Sequence, residues 1–181
     1  MQILCRDKKL RNNLIASVYL SSAVGFSYYL ITFYIKYFKG NIFVNFASIG
    51  VADAIGFALI TKITPKYTIP EIIRILLVGS IASAILFMIT QAVVPALLPI
   101  PLILMRMNIG GLYNYSYQYN SMLFPLLVKG AVFAMANSFA RPSQAMATMV
   151  AEYIHEPIFL ILTVSIISIF VSFLVTEKIE H

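Results

Sequence analysis

The sequence predicts an all-α membrane protein of six transmembrane helices with both termini on the inner side. Three observations predict it. The 181 residues are 60% hydrophobic and only 11% charged, with a mean hydropathy of +0.88. A soluble domain carries about 45–50% apolar and about 25% charged residues, so there is too little polar surface here to cover a water-soluble globule. The apolar residues fall into six blocks, each near the ~20 residues that cross ~30 Å of hydrocarbon as a helix. The lysines and arginines segregate to alternate connections between those blocks. Helices are the form required, because open sheet leaves backbone groups unpaired in lipid.

Taken in order, residues 1–13 form a basic inner-side segment with Arg6, Lys8, Lys9 and Arg11. The apolar block that follows is too long for a cleavable signal and has no small-residue cleavage site after it. It reads as the first span, Leu14–Ile35. The second span is Ile42–Ile60, and Pro65 and Pro70 separate it from the third, Ile72–Val93. Pro95, Pro99 and Pro101 mark the break before the fourth, Ile100–Leu123. Pro125 follows that span, the fifth is Ala131–Ala151, and Pro157 opens the sixth, Ile158–Val175. Proline lacks a backbone donor and suits such breaks and helix starts. Pro142 lies inside the fifth block and predicts a kink there. The six-span domain is 14–176, and 177–181 is an inner-side tail.

Charge placement sets the orientation. With the N-terminus inside, the inner segments hold Arg6, Lys8, Lys9, Arg11, Lys62, Lys66, Arg74, Lys129 and Lys178, whereas the outer connections hold only Lys36 and Lys39. Positive residues favour the inner side, and the last outer connection is acidic, with Glu152 and Glu156. The net charge of +6 is therefore a topology signal. Basic and aromatic residues do not interleave on a polar face, which excludes nucleic acid as a partner. The lipid bilayer is the first partner. Cys5 is the single cysteine, so no intrachain disulfide forms. It reads as an inert thiol, with a thiolate favoured by its basic neighbours as the alternative.

Three charges lie within spans. Asp53, in the second, and Arg141, in the fifth, fall near mid-bilayer, and Arg106, in the fourth, lies ~9 Å below the outer surface. A charge at the bilayer centre costs on the order of 2.5–3.5 kcal/mol on insertion scales, so all three are expected to point into the bundle. Asp53 is expected to pair with Arg141 or with Arg106. Two readings are open: a substrate or ion pathway, or a buried ion pair that fixes helix register. Tyr28, Tyr29, Asn114, Tyr115, Gln118, Asn137, Ser138 and Gln144 are polar groups at similar depth and candidates for lining a cavity. Small residues recur at four-residue spacing: Ser21 and Gly25, Ala52 and Gly56, Gly79 and Ser83, Ala136 and Ala140. They read as close helix–helix packing.

Several segments, in order, resemble the C-terminal six-helix half of a major facilitator superfamily transporter, closest to the organic cation and anion transporters. Phe26-Ser27-Tyr28-Tyr29 resembles the family's F-A-Y-Y. Gly40-Asn41-Ile42-Phe43-Val44-Asn45 resembles G-D-I-Y-L-N, and Gly50-Val51-Ala52-Asp53 is similar to G-L-V-E, which puts Asp53 on the family's membrane glutamate. Leu104-Met105-Arg106 aligns with a stretch that carries a basic residue. Tyr119-Asn120-Ser121-Met122-Leu123-Phe124-Pro125, with Lys129, resembles Y-T-S-E-L-F-P-T-V-V-R. Ala140-Arg141 matches A-R, and Leu174-Val175-Thr176-Glu177 echoes L-P-E-T. The resemblance implies half of that fold, an anionic substrate through Arg141, and cavity aromatics at Tyr28 and Tyr29.

The chain departs from the family at its gate. The D-R-x-G-R-R motif is reduced to Thr61-Lys62-Ile63-Thr64-Pro65-Lys66, and Met122 stands where the family has the glutamate that pairs with a cation at Lys129. Lys62, Lys66 and Lys129 read as an inner-gate remnant. The two histidines, His155 and His181, sit apart, and no phosphate loop, dinucleotide fingerprint or metal-ligand cluster occurs. The chain is expected not to be an enzyme and to need no cofactor.

Family carriers rock one half against the other around a midplane site, and the sequence shows one half. The first functional expectation is a transporter-derived subunit of a larger membrane assembly whose own transport is lost. The second is an active half-transporter for an organic anion, working with a complementary six-helix half or as a dimer. The basic start and single cysteine fit an organelle membrane, with the mitochondrial inner membrane as the specific expectation.

Overall fold

A computed structural model describes residues 8–37, 42–94, 97–154 and 157–176. Cys5, Arg6, Lys39, Gly40, Asn41, Pro95, His155, Glu156, Glu177, Lys178 and His181 lie outside the described residues.

Each apolar block forms one helix. These are α1 (Lys8–Tyr34), α2 (Ile42–Ile63), α3 (Ile69–Val93), α4 (Pro99–Leu123), α5 (Leu126–Tyr153) and α6 (Ile158–Ser172). A 3-10 turn, Ile35–Tyr37, extends α1. The prolines start helices more often than they separate them. Pro99 opens α4 and Pro101 sits in its first turn, while Pro125 and Pro157 cap α5 and α6. Pro70 lies in the first turn of α3, whose entry is fixed by Glu71 accepting the Thr68 backbone N–H at 2.9 Å. This arrangement satisfies one of the donors orphaned at a helix start. α5 continues through Pro142 as one element.

Three segments are long and apolar enough to cross a membrane: Lys8–Tyr37, Phe46–Ile63 and Ile69–Val93, with mean hydropathies of 1.5, 1.6 and 2.5. α6 is apolar but has 15 residues, ~22 Å at 1.5 Å per residue. α4 and α5 fall short by composition. The reason is visible in α4, where Arg106, Tyr115, Ser116, Tyr119 and Asn120 are all buried. Asn108, Tyr113, Asn114, Tyr117 and Gln118, all half-buried, lower the hydropathy of α4 further.

α1 and α4 occupy the centre. α1 packs on α5, α4 and α6; α4 packs on α2, α3 and α1; α3 also packs on α6. Exchanging α1 with α4, α2 with α5 and α3 with α6 carries this packing onto itself. The pair α1–α5 becomes α4–α2, α3–α4 becomes α6–α1, and α1–α4 and α3–α6 return to themselves. Even the light α4–α5 contact is matched, by the 3-10 turn of α1 touching α2.

The small-residue pairs serve this packing. Ser21, Ala52, Ser83, Ala136 and Ala140 are buried. A Cβ at Gly56 would lie 2.5 Å from the Met107 carbonyl oxygen of α4, so only glycine lets α2 and α4 approach this closely. Buried polar groups find partners across helices. Ser17 donates to Asn120 Oδ1, and Asn120 Nδ2 donates to Ser21 Oγ at 3.3 Å. Asn13 clasps Thr176, donating to its carbonyl at 2.8 Å and accepting its N–H at 2.9 Å.

Candidate functional site

The site forms where α1, α2 and α4 meet. α2 presents Asp53 one turn before Gly56, on the side that touches α4. Arg106 and Gly110 follow each other at i and i+4 on α4, and such residues share a helix face. A Cβ at position 110 would stand 2.5 Å from Asp53 Oδ1. The missing side chain is the room into which the carboxylate fits.

Arg106 grips Asp53 with both edges of its fork. Nε donates to Oδ1 at 2.9 Å and Nη2 to Oδ2 at 2.9 Å. Bidentate, charge-assisted pairs of this kind are the strong ones. Nη1 donates to the Tyr28 carbonyl at 2.6 Å and to Thr32 Oγ1 at 2.7 Å. Four of the five guanidinium N–H groups are thus directed at named acceptors. Tyr28 closes the site twice over: its hydroxyl donates to Asp53 Oδ2 at 2.9 Å, and its ring centroid lies 3.5 Å from the guanidinium carbon, within cation–π range. The Arg106 side chain is 2% exposed and that of Asp53 26%.

A tyrosine array spreads from this pair. Tyr28 stacks on Tyr113 with centroids 4.6 Å apart, and Tyr29 meets both edge-on, at 5.6 and 6.3 Å. The Tyr113 and Tyr117 hydroxyls are 3.0 Å apart, and Tyr117 reaches Phe133 of α5, 5.9 Å between centroids. Beside it runs a shallow crevice between α1, α4 and α5, lined by Ser21, Ser116, Tyr117, Asn120, Asn137 and Gln144 among others.

Of the three span charges, the structure brings together Asp53 and Arg106. Arg141 does not join them and does not point inward. α5 packs through Ala136, Ala140, Gln144, Ala147 and Ala151, and Arg141 lies off that face, exposed, with Nη1 3.4 Å from Gln144 Oε1. Tyr115 is also corrected. It is 1% exposed and packs on Tyr119 in the core, because it lies on the far side of α4 from Tyr113 and Tyr117. Tyr28 and Tyr29 are half-buried in the array. Asn137 and Gln144 line the crevice, and Gln144 fills the space left by Gly25.

Asn114 and Gln118 are half-buried, and Asn114 Nδ2 bonds the Gly110 carbonyl at 3.0 Å. Ser138 is exposed and bonds its own helix at Ala134. Lys62 and Lys66 are exposed and Lys129 is half-buried; among the described residues none forms an ion pair. The sequence reading missed Thr32, Gly110, Tyr113 and Tyr117. Their spacing signals them in retrospect, since Thr32 is four residues after Tyr28, Gly110 four after Arg106, and Tyr117 four after Tyr113.

Neither a protein-family model nor a curated protein matches this chain.

Proposed function

We propose that the chain is a six-span membrane protein, one carrier-like half with both termini on the inner side, acting as a subunit of a larger membrane assembly without transport of its own. The observation that supports the loss of transport is the commitment of the central ion pair to groups within the bundle. Asp53 accepts from Arg106 twice and from Tyr28, and Arg106 donates two further bonds, to Tyr28 and Thr32. A binding site needs a charge with bonds to give; this pair has given most of its bonds to neighbouring helices, as a pair that fixes helix register does. The exchange symmetry of the packing supports the carrier-half reading, because carriers of this class nest three-helix repeats within each half.

Reconstitution tests it. The chain is placed alone in liposomes and uptake of a labelled organic anion is followed. Flux no greater than that of empty vesicles is expected; saturable uptake would sink the reading. Native gels of solubilised source membranes are expected to show the chain in a complex well above its 20.2 kDa. Fractionation of those membranes tests the mitochondrial inner membrane as its location.

A second reading, an active half-transporter for an organic anion, is favoured by Arg141, whose guanidinium is exposed beside the crevice. It requires that co-expression with a complementary half gives anion uptake and that Arg141→Ala abolishes it.

A further inference from the structure

We propose that the α5 face centred on Arg141 seats a transmembrane helix of another subunit, and that this helix carries a carboxylate at the depth of Arg141. The inference rests on the six-span subunit reading and names the chemistry of the neighbour.

The argument starts from charge. Arg141 is exposed and bonds at 3.4 Å to Gln144, a neutral side chain one turn away on its own helix. It is the sixteenth residue of the 28-residue α5, far from either end, so a headgroup phosphate at the membrane surface does not reach it. A guanidinium left facing hydrocarbon is strongly disfavoured. Among the described residues, no acid at its depth is left to supply the counter-charge. Asp53 is the one acid within the predicted spans, and it is committed to Arg106. Glu152, at the end of α5, is taken by Lys36 at 3.0 Å.

A second copy of the chain fails for the same reason. Its span acid is equally committed, and a symmetric α5–α5 contact would set arginine against arginine. The counter-charge comes from a different sequence.

The shape of the face agrees. Ala134, Ser138 and Ala145 are exposed and flank Arg141 at spacings of three to four residues, so small side chains leave a shallow track in which another helix backbone can lie close. The outer face of α3 is built otherwise, with Ile75, Val78, Ile85, Leu86 and Ile89 exposed, bulky residues suited to acyl chains.

Photo-crosslinking in the source membrane tests the proposal. A photoreactive residue is placed at Ser138 or Ala145 of the full chain, with Val78 and Leu86 of α3 as controls, and the linked peptides are sequenced. Positions 138 and 145 are expected to capture an apolar segment of another protein that contains Asp or Glu, while the controls capture lipid. Arg141→Glu is expected to lower the yield at least ~tenfold, the scale of a broken charged contact. Exchanging the partner's acid for arginine in the same cells is expected to restore it, which separates a lost contact from a misfolded chain.

An apolar segment without an acid, a second copy of the chain, or an Arg141→Glu yield equal to wild type would each overturn the proposal and leave the subunit reading standing. Capture of lipid alone, together with saturable flux by the isolated chain, would overturn both.

Discussion

Arg106 and Arg141 are the same side chain in opposite surroundings. On α4, Arg106 is enclosed, 2% exposed, with Asp53, Tyr28 and Thr32 around it. On α5, Arg141 stands outside the bundle with one long contact to Gln144. The difference follows from the helices that carry them. α4 is central and touches neighbours on most of its circumference, so a charge on it is bound to find a bonding partner or destroy the fold. α5 leans on α1 through one stripe, and a residue off that stripe is left outside the bundle. The same charge is thus internal cement on one helix and exposed on another.

The largest effect is expected at the enclosed arginine. Arg106→Leu leaves Asp53 half-buried without its partner and should destabilise the fold by ~3–5 kcal/mol, read from thermal unfolding in detergent. The double variant Asp53→Leu with Arg106→Leu should recover most of that loss, because an apolar pair can replace a buried ion pair at little cost. No recovery would mean that the pair does more than hold the helices. Gly110→Ala puts a methyl 2.5 Å from Asp53 Oδ1 and should cost ~1–3 kcal/mol by overpacking.

Tyr28→Phe removes one hydrogen bond to a carboxylate while keeping the ring over Arg106. A loss of ~1.5 kcal/mol is expected, and an unchanged melting curve would show that the hydroxyl contributes nothing. The smallest effect is expected at Arg141. In the isolated, detergent-solubilised chain Arg141→Leu should stay within ~0.5 kcal/mol of wild type. A fall as large as that of Arg106→Leu would erase the comparison.

Helix existence was legible because each predicted span is a long apolar block, and every block is a helix. Ends were less so. α1 begins at Lys8 and α5 at Leu126, well before their apolar blocks, because basic or loop-like residues continue a helix at no penalty once its core is anchored. The start of α3 could have been read from Thr68 and Glu71, a capping signature. In the site, Asp53 and Arg106 were legible as costly charges, but the choice of partner was not. That choice depends on α2 lying against α4 through Gly56, a tertiary contact that apolar patterning does not encode. Arg141 was misplaced for a related reason: depth in a span says how much burial is needed, not which side of the helix supplies it.

The clasp between Asn13 and Thr176 bears on the order in which the chain is made. α1 is synthesised before the other described helices, yet its main neighbours are α4, α5 and α6. α5 begins 92 residues after α1 ends at Tyr34, about 5–20 s of translation at cellular rates. Ser17 waits for Asn120, 86 residues after Tyr34, and Asn13 for Thr176, 142 residues after it and about 7–28 s later. A ribosome that stalls before residue 176 leaves α1 without the Asn13–Thr176 clasp.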